Sequence, residues 1–68
     1  MPNYYVNSKP QTNGDHEVHV ETCSRLPDYQ NRVDLGFHQN CSTAVLAAKN
    51  HYAKSNGCYY CCNACHTS

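Results

Sequence analysis

His16-Glu17-Val18-His19-Val20-Glu21-Thr22 decides the fold, because its residues alternate as a half-buried strand requires. Successive side chains of a strand point to opposite faces, so His16, Val18, Val20 and Thr22 share one side, and Glu17, His19 and Glu21 share the other. The first set is expected to be buried and the second to meet water. On its N-terminal side, Asn3-Tyr-Tyr-Val-Asn7 is a short β-prone run, followed by a segment whose Pro10 and Asn13-Gly14-Asp15 are turn signals. Strands 3–7 and 16–22 therefore form a hairpin.

Downstream, Cys23-Ser-Arg-Leu-Pro27 turns the chain out of the sheet. Residues 28–34 show no clear period, and a third short strand is expected at 33–37. A helix is expected over 42–55. Asn40 or Ser42 can cap its start, and Asn56-Gly57 can supply a left-handed exit. Helical spacing puts Cys41, Val45, Ala48 and Tyr52 on one stripe, with Ala44 and Ala47 beside it, and Lys49, Asn50 and Lys54 toward water. The stripe should lie on the hairpin. The expected architecture is α+β, a two- or three-stranded antiparallel sheet with one packed helix and a Cys-rich tail at 58–68. All 68 residues form a single domain without internal repeat or linker.

The core available to this fold is small. Five Val, three Leu and one Phe are the large aliphatic or Phe side chains of 68 residues. Ordering a chain of this length costs on the order of 100 kcal/mol of conformational entropy, and so short a chain buries only about 60% of its unfolded surface. Domains of this size usually need a staple, and six cysteines and five histidines supply the means for one. The tyrosines at 4, 5, 29, 52, 59 and 60 add core and rim area.

Five Lys+Arg balance five Asp+Glu, giving a formal net charge of zero with no basic cluster. The electrostatic footprint of a nucleic-acid binder is missing. Met1-Pro2-Asn3-Tyr4-Tyr5-Val6 has neither a charged leader nor an apolar run, so neither export nor a membrane span is expected. The expectation is a cytoplasmic monomer, with an unidentified protein as the only partner in view. A reducing cytosol disfavours a framework of disulfides and turns the same cysteines toward metal or redox chemistry.

Zinc wants four ligands arranged tetrahedrally, and a Cys-x-x-Cys turn lets two sulfurs converge on one ion. The tail holds two such pairs in tandem, Cys58-x-x-Cys61 and Cys62-x-x-Cys65. One short peptide rarely wraps four sulfurs around one metal, so other elements should contribute. Cys23, at the strand end, is the leading supplier; Cys41, His16, His19 and His66 are in reserve. Cys41 reads equally well as core, and His38 and His51 read as surface. Zinc held by Cys23 and tail cysteines would tie every element together.

Two other chemistries fit parts of the pattern. Cys62-Asn-Ala-Cys65-His66 matches the Cys-x-x-Cys-His attachment motif of c-type haem, although exported context and a distal Met ligand are lacking. The tail pairs could also cycle between dithiol and disulfide, yet no Lys or Arg lies in the tail to lower a thiol pKa. Both rank behind a non-enzymatic zinc module.

Asn13-Gly-Asp-His-Glu-Val-His19, Cys23, Leu26-Pro27, Leu35-Gly36-Phe37, Cys41, Ala44-Val45, Ala47-Ala48-Lys49, Asn56-Gly57-Cys58 and Cys65-His-Thr-Ser68 resemble a family of small uncharacterised bacterial proteins. That resemblance spans nearly the whole chain and implies no reaction. The order Cys23, Phe37, the helix at 44–48, then Cys58-x-x-Cys61 or Cys62-x-x-Cys65 is similar, more loosely, to Ada-type modules. There, a Cys-x-x-Cys pair closes a four-thiolate zinc site. Ada-type modules carry two cysteines close together before the helix, whereas seventeen residues separate Cys23 from Cys41 here.

Overall fold

The computed structural model describes residues 2–66. Three of its four strands lie where alternation and β propensity place them: β1 (Asn3–Asn7), β2 (His16–Val20) and β3 (Arg32–Phe37). One helix, α1 (Cys41–Ala48), and a short β4 (Ser55–Gly57) complete the regular structure, with single 3-10 turns at Tyr29–Asn31 and Asn63–Cys65. The sheet order is β3-β1-β2-β4.

β1 pairs antiparallel with both β2 and β3, whereas β4 runs parallel to β2. The sheet is therefore four-stranded and mixed, not the expected two- or three-stranded antiparallel one. The fourth strand lies where the end of the helix and its left-handed exit were expected, with only Ser55 inside the expected helix. α1 stops at Ala48, and the chain turns through Lys49–Tyr52 with backbone bonds from Asn50 to Ala47 and from His51 and Tyr52 to Ala48. Asn56-Gly57 does not end a helix and takes no positive φ; it pairs with Glu17 and Val18. Lys49-Asn50-His51 adds no apolar area to a continuing helix, while β2 offers a free edge to residues 55–57. Satisfying the backbone groups of that edge decides the outcome. The start of the helix matches expectation, with the Asn40 side chain accepting the Ser42 N–H at 3.0 Å.

The core lies between the sheet and α1. Cross-strand pairs Tyr4↔Val20 and Val6↔Val18 stack their side chains on one face. Val6, Val18, Ala44 and Ala48 are fully buried, with Tyr4 nearly so. Two small alanines let the helix approach closely, so it touches all four strands. Val45, Cys41 and Tyr52 pack at the margin, and His16 stacks on Tyr52 with ring centroids 3.9 Å apart.

Strand β3 joins β1 through an irregularity between Tyr4 and Tyr5. Gly36 sits there at φ 84°, a conformation that favours glycine. One Asp34 carboxylate oxygen accepts both the Gly36 N–H and the Asn3 side-chain amide at 2.8 Å. These bonds, Asn3 first, hold the Asp34 pKa below its ordinary value.

Beyond β4 the tail doubles back. Cys62 N–H donates to Cys58 O at 2.9 Å and Cys65 N–H to Cys62 O at 2.9 Å. A disulfide joins Cys65 to Cys41 at the helix start, with Cα atoms 6.3 Å apart. The sequence had disfavoured disulfides, and geometry supplies the reason for this one: the tail's 3-10 turn packs on α1 where Cys41 begins it. No described helix is long and apolar enough to cross a membrane.

Candidate metal centre

The second face of β2 carries the centre. Alternation sends His19 away from Val18 and Val20, toward the side expected to be wet, yet the residue is only 1% exposed. Thiols enclose it. His19, Cys23, Cys58 and Cys61 each bring one ligand atom, and these four atoms all lie within 4.8 Å of one another.

Each donor has a local reason for its position. Cys23 follows β2 through a turn closed by its own N–H to Val20 O at 3.0 Å. Cys58 extends β4 past its register with β2 and donates its N–H to Val18 O at 2.9 Å, which sets it beside His19. Cys61 lies one turn further on, and its sulfur accepts the N–H of Val20 at 3.4 Å. The Cys23 sulfur accepts the N–H of Arg25 at 3.4 Å. The Val20 N–H on the Cys61 sulfur works toward the thiolate that binds metal, against the burial of that thiol.

Two of the spacings match the edge of a tetrahedral site. A zinc–sulfur bond of about 2.3 Å gives a sulfur–sulfur edge of about 3.8 Å. Cys23 Sγ and Cys58 Sγ are 3.9 Å apart, and Cys61 Sγ is 3.9 Å from His19 Nδ1. The other ring nitrogen, Nε2, has the Glu17 carboxylate 3.8 Å away. That arrangement suits Nδ1 to bind a metal while a carboxylate orients the ring from behind.

Burial dominates the electrostatics. It lowers the His19 pKa, keeping the imidazole neutral and its lone pair free for a metal. It raises the Cys61 pKa strongly, with the hydrogen bond to Cys23 adding to the rise and the Val20 N–H opposing it. The protonated state of such a thiol wins only while no cation is near; a bound metal reverses the balance.

The sequence candidates thus divide. Cys23, Cys58 and Cys61 gather as ligand-ready thiols, and His19 joins them. Cys65 and Cys41 do not, because their sulfurs are bonded to each other. Cys62 is 2% exposed beside the core, with its sulfur 3.8 Å from that of Cys61. His16 packs on Tyr52, and its Nδ1 lies 2.9 Å from Asn7 O. His66 Nδ1 lies 2.9 Å from Gly57 O. With Cys65 in a disulfide and Cys62 buried, the Cys62-x-x-Cys65-His66 segment does not present the two free thiols that haem attachment needs. The same bond splits the second tail pair proposed for redox cycling. Among the described residues no cavity opens for a small-molecule substrate.

Comparison of the chain with protein-family models, with characterised proteins and with solved structures finds no match.

Proposed function

We propose that the protein is a small zinc-binding module, held together by a centre of three thiolates and one imidazole and serving as a non-enzymatic structural or interaction unit. One observation carries the reading: three cysteines and a histidine from separate segments converge within 4.8 Å around one point. Thiolate and imidazole donors with tetrahedral spacing suit zinc among the common divalent ions, and four protein donors leave no open position for a substrate. In this reading the metal joins the end of β2 to the tail, while the Cys41–Cys65 bridge joins the tail to the helix. The two staples together offset a meagre core. Exposed Tyr59 and Tyr60, carried between ligands Cys58 and Cys61, give such a module an aromatic surface for a protein partner.

Native mass spectrometry of protein made without added oxidant tests this directly. The expected species is the chain less two hydrogens, for one disulfide, plus one zinc that denaturation releases. A metal-free species whose mass shows further disulfides would overturn the reading. Cys23→Ser should abolish zinc retention, whereas His16→Ala should leave it intact.

A further inference from the structure

We propose that Cys62 is a fifth donor of the centre, able to replace His19, so that the centre holds zinc through three thiolates and an imidazole but holds softer d10 ions such as cadmium through four thiolates. This rests on the metal-binding reading above.

The geometry makes Cys61 a hub. Its sulfur stands 3.9 Å from His19 Nδ1 and 3.8 Å from Cys62 Sγ. Both distances are close to one edge of a metal–thiolate tetrahedron, about 3.8 Å. A metal bound to Cys61 therefore has two further donors within one edge of that ligand, one nitrogen and one sulfur. Cys62 is held for this position by its backbone: its N–H donates to Cys58 O at 2.9 Å, closing the turn that also carries Cys61. The thiol is 2% exposed and its sulfur faces another sulfur, so it forms part of the thiol cluster as well as of the core.

Ligand softness decides between the two sets. Replacing an imidazole with a fourth thiolate adds a negative charge in a buried place; zinc, which accepts either donor set, keeps His19, because His19 already stands within 4.8 Å of the other three donors. A larger and softer ion gains more from the sulfur and tolerates longer edges. The exchange is a ligand substitution: Cys62 gives its proton to solvent as its sulfur binds, and His19 leaves as neutral imidazole.

Cadmium-113 NMR of the full chain tests the proposal, with zinc-loaded protein studied by X-ray absorption in parallel. The expected cadmium spectrum shows couplings to the β-protons of Cys23, Cys58, Cys61 and Cys62, and none to the His19 ring. The zinc protein should show three sulfurs and one nitrogen. Cys62→Ser should weaken cadmium binding more than zinc binding, so that the preference for cadmium over zinc falls at least roughly tenfold, the least that losing even a supporting group costs a metal centre. His19→Ala should still bind cadmium through four thiolates, and His19→Ala combined with Cys62→Ser should lose it. Cadmium coupled to three cysteines and to His19, with Cys62 silent, would overturn the exchange but leave the metal centre standing. Failure of the unaltered chain to retain either metal would overturn the metal centre itself.

Discussion

Removing the two staples one at a time, then together, should reveal how little of the fold the core holds. The Cys41–Cys65 bridge joins residues 24 apart. In the chain-entropy description, closing such a loop removes about 11.6 cal/mol/K from the unfolded state, or about 3.4 kcal/mol at 25 °C. A metal tying Cys23 to Cys58 joins residues 35 apart. The same relation gives about 3.8 kcal/mol. At the usual 0.05–0.15 kcal/mol per residue, a chain of 68 residues has a total stability of roughly 3–10 kcal/mol. Either staple is then a large fraction of the whole, and their sum equals or exceeds most of that range. Four thermal melts followed by far-UV circular dichroism decide the matter: the unaltered chain and Cys41→Ser/Cys65→Ser, each with zinc and with chelator. Losing the bridge alone should lower the midpoint by roughly 15–25 °C, at the 4–8 °C per kcal/mol typical of small domains. Losing both should leave no cooperative transition. If the doubly deprived chain still melts cooperatively within a few degrees of the intact protein, then Val6, Val18, Tyr4, Ala44 and Ala48 hold the fold unaided, and the staple argument is refuted.

Glu17→Ala should weaken zinc binding about 10- to 100-fold, as loss of a carboxylate behind a ligating histidine typically does; competition against a chromophoric chelator measures it, and unchanged affinity would remove Glu17 from the centre. Asp34 has a depressed pKa in the folded chain, so its contribution is fully present above the ordinary carboxylate value and disappears as pH falls through the folded value. The urea midpoint should thus fall as the pH drops below the ordinary carboxylate range, and Asp34→Asn should flatten part of that fall. Gly57→Ala would place a methyl group 2.7 Å from Cys62 O and 2.8 Å from Cys65 Cβ. Backbone must then move, so zinc affinity and melting midpoint should both drop; a variant matching the unaltered chain in both would show that the tail yields at no cost.

Legibility in the sequence followed the range of the forces involved. β1 was readable to the residue, because Asn3–Asn7 is a β-prone run ending at turn signals, and the Asn40 cap was readable as a local hydrogen bond. β4 was not. Ser55-Asn56-Gly57 has no strand propensity, and it becomes a strand only because the β2 edge lies beside it. The cysteine content pointed to a staple, yet spacing alone could not separate Cys61, which binds into the cluster, from Cys65, which bonds to the helix start. Both end a Cys-x-x-Cys turn. His19 was misplaced for a related reason: alternation correctly put it opposite Val18, but which face of the sheet is covered depends on the tail, forty residues away in sequence. The Glu17-x-His19-x-x-x-Cys23 spacing, a carboxylate and an imidazole on one strand face leading to a thiol, was the signal available.

The three residues of β4 control the centre more than any ligand's own neighbours do. Parallel pairing sets Val18 against Gly57, so Gly57 lies on the helix side of the sheet and Cys58, next in the alternation, falls on the His19 side. A slip of one residue would reverse every side chain beyond it, taking Cys58 from its buried place beside the core and His19 and carrying Cys61 away from the Val20 N–H. Two contacts oppose the slip. His16 N–H donates to Lys54 O at 2.7 Å at one end of the pairing, and Cys58 N–H donates to Val18 O at 2.9 Å at the other. Glycine at 57 adds a steric lock, because residues 62 and 65 fill the space where any Cβ would stand. In a shifted register a residue with a side chain would meet that wall. Register, the disulfide that holds residue 65 in place and the gathering of ligand sulfurs are therefore one coupled arrangement, and the metal's contribution to stability is in part the energy of keeping β4 in register.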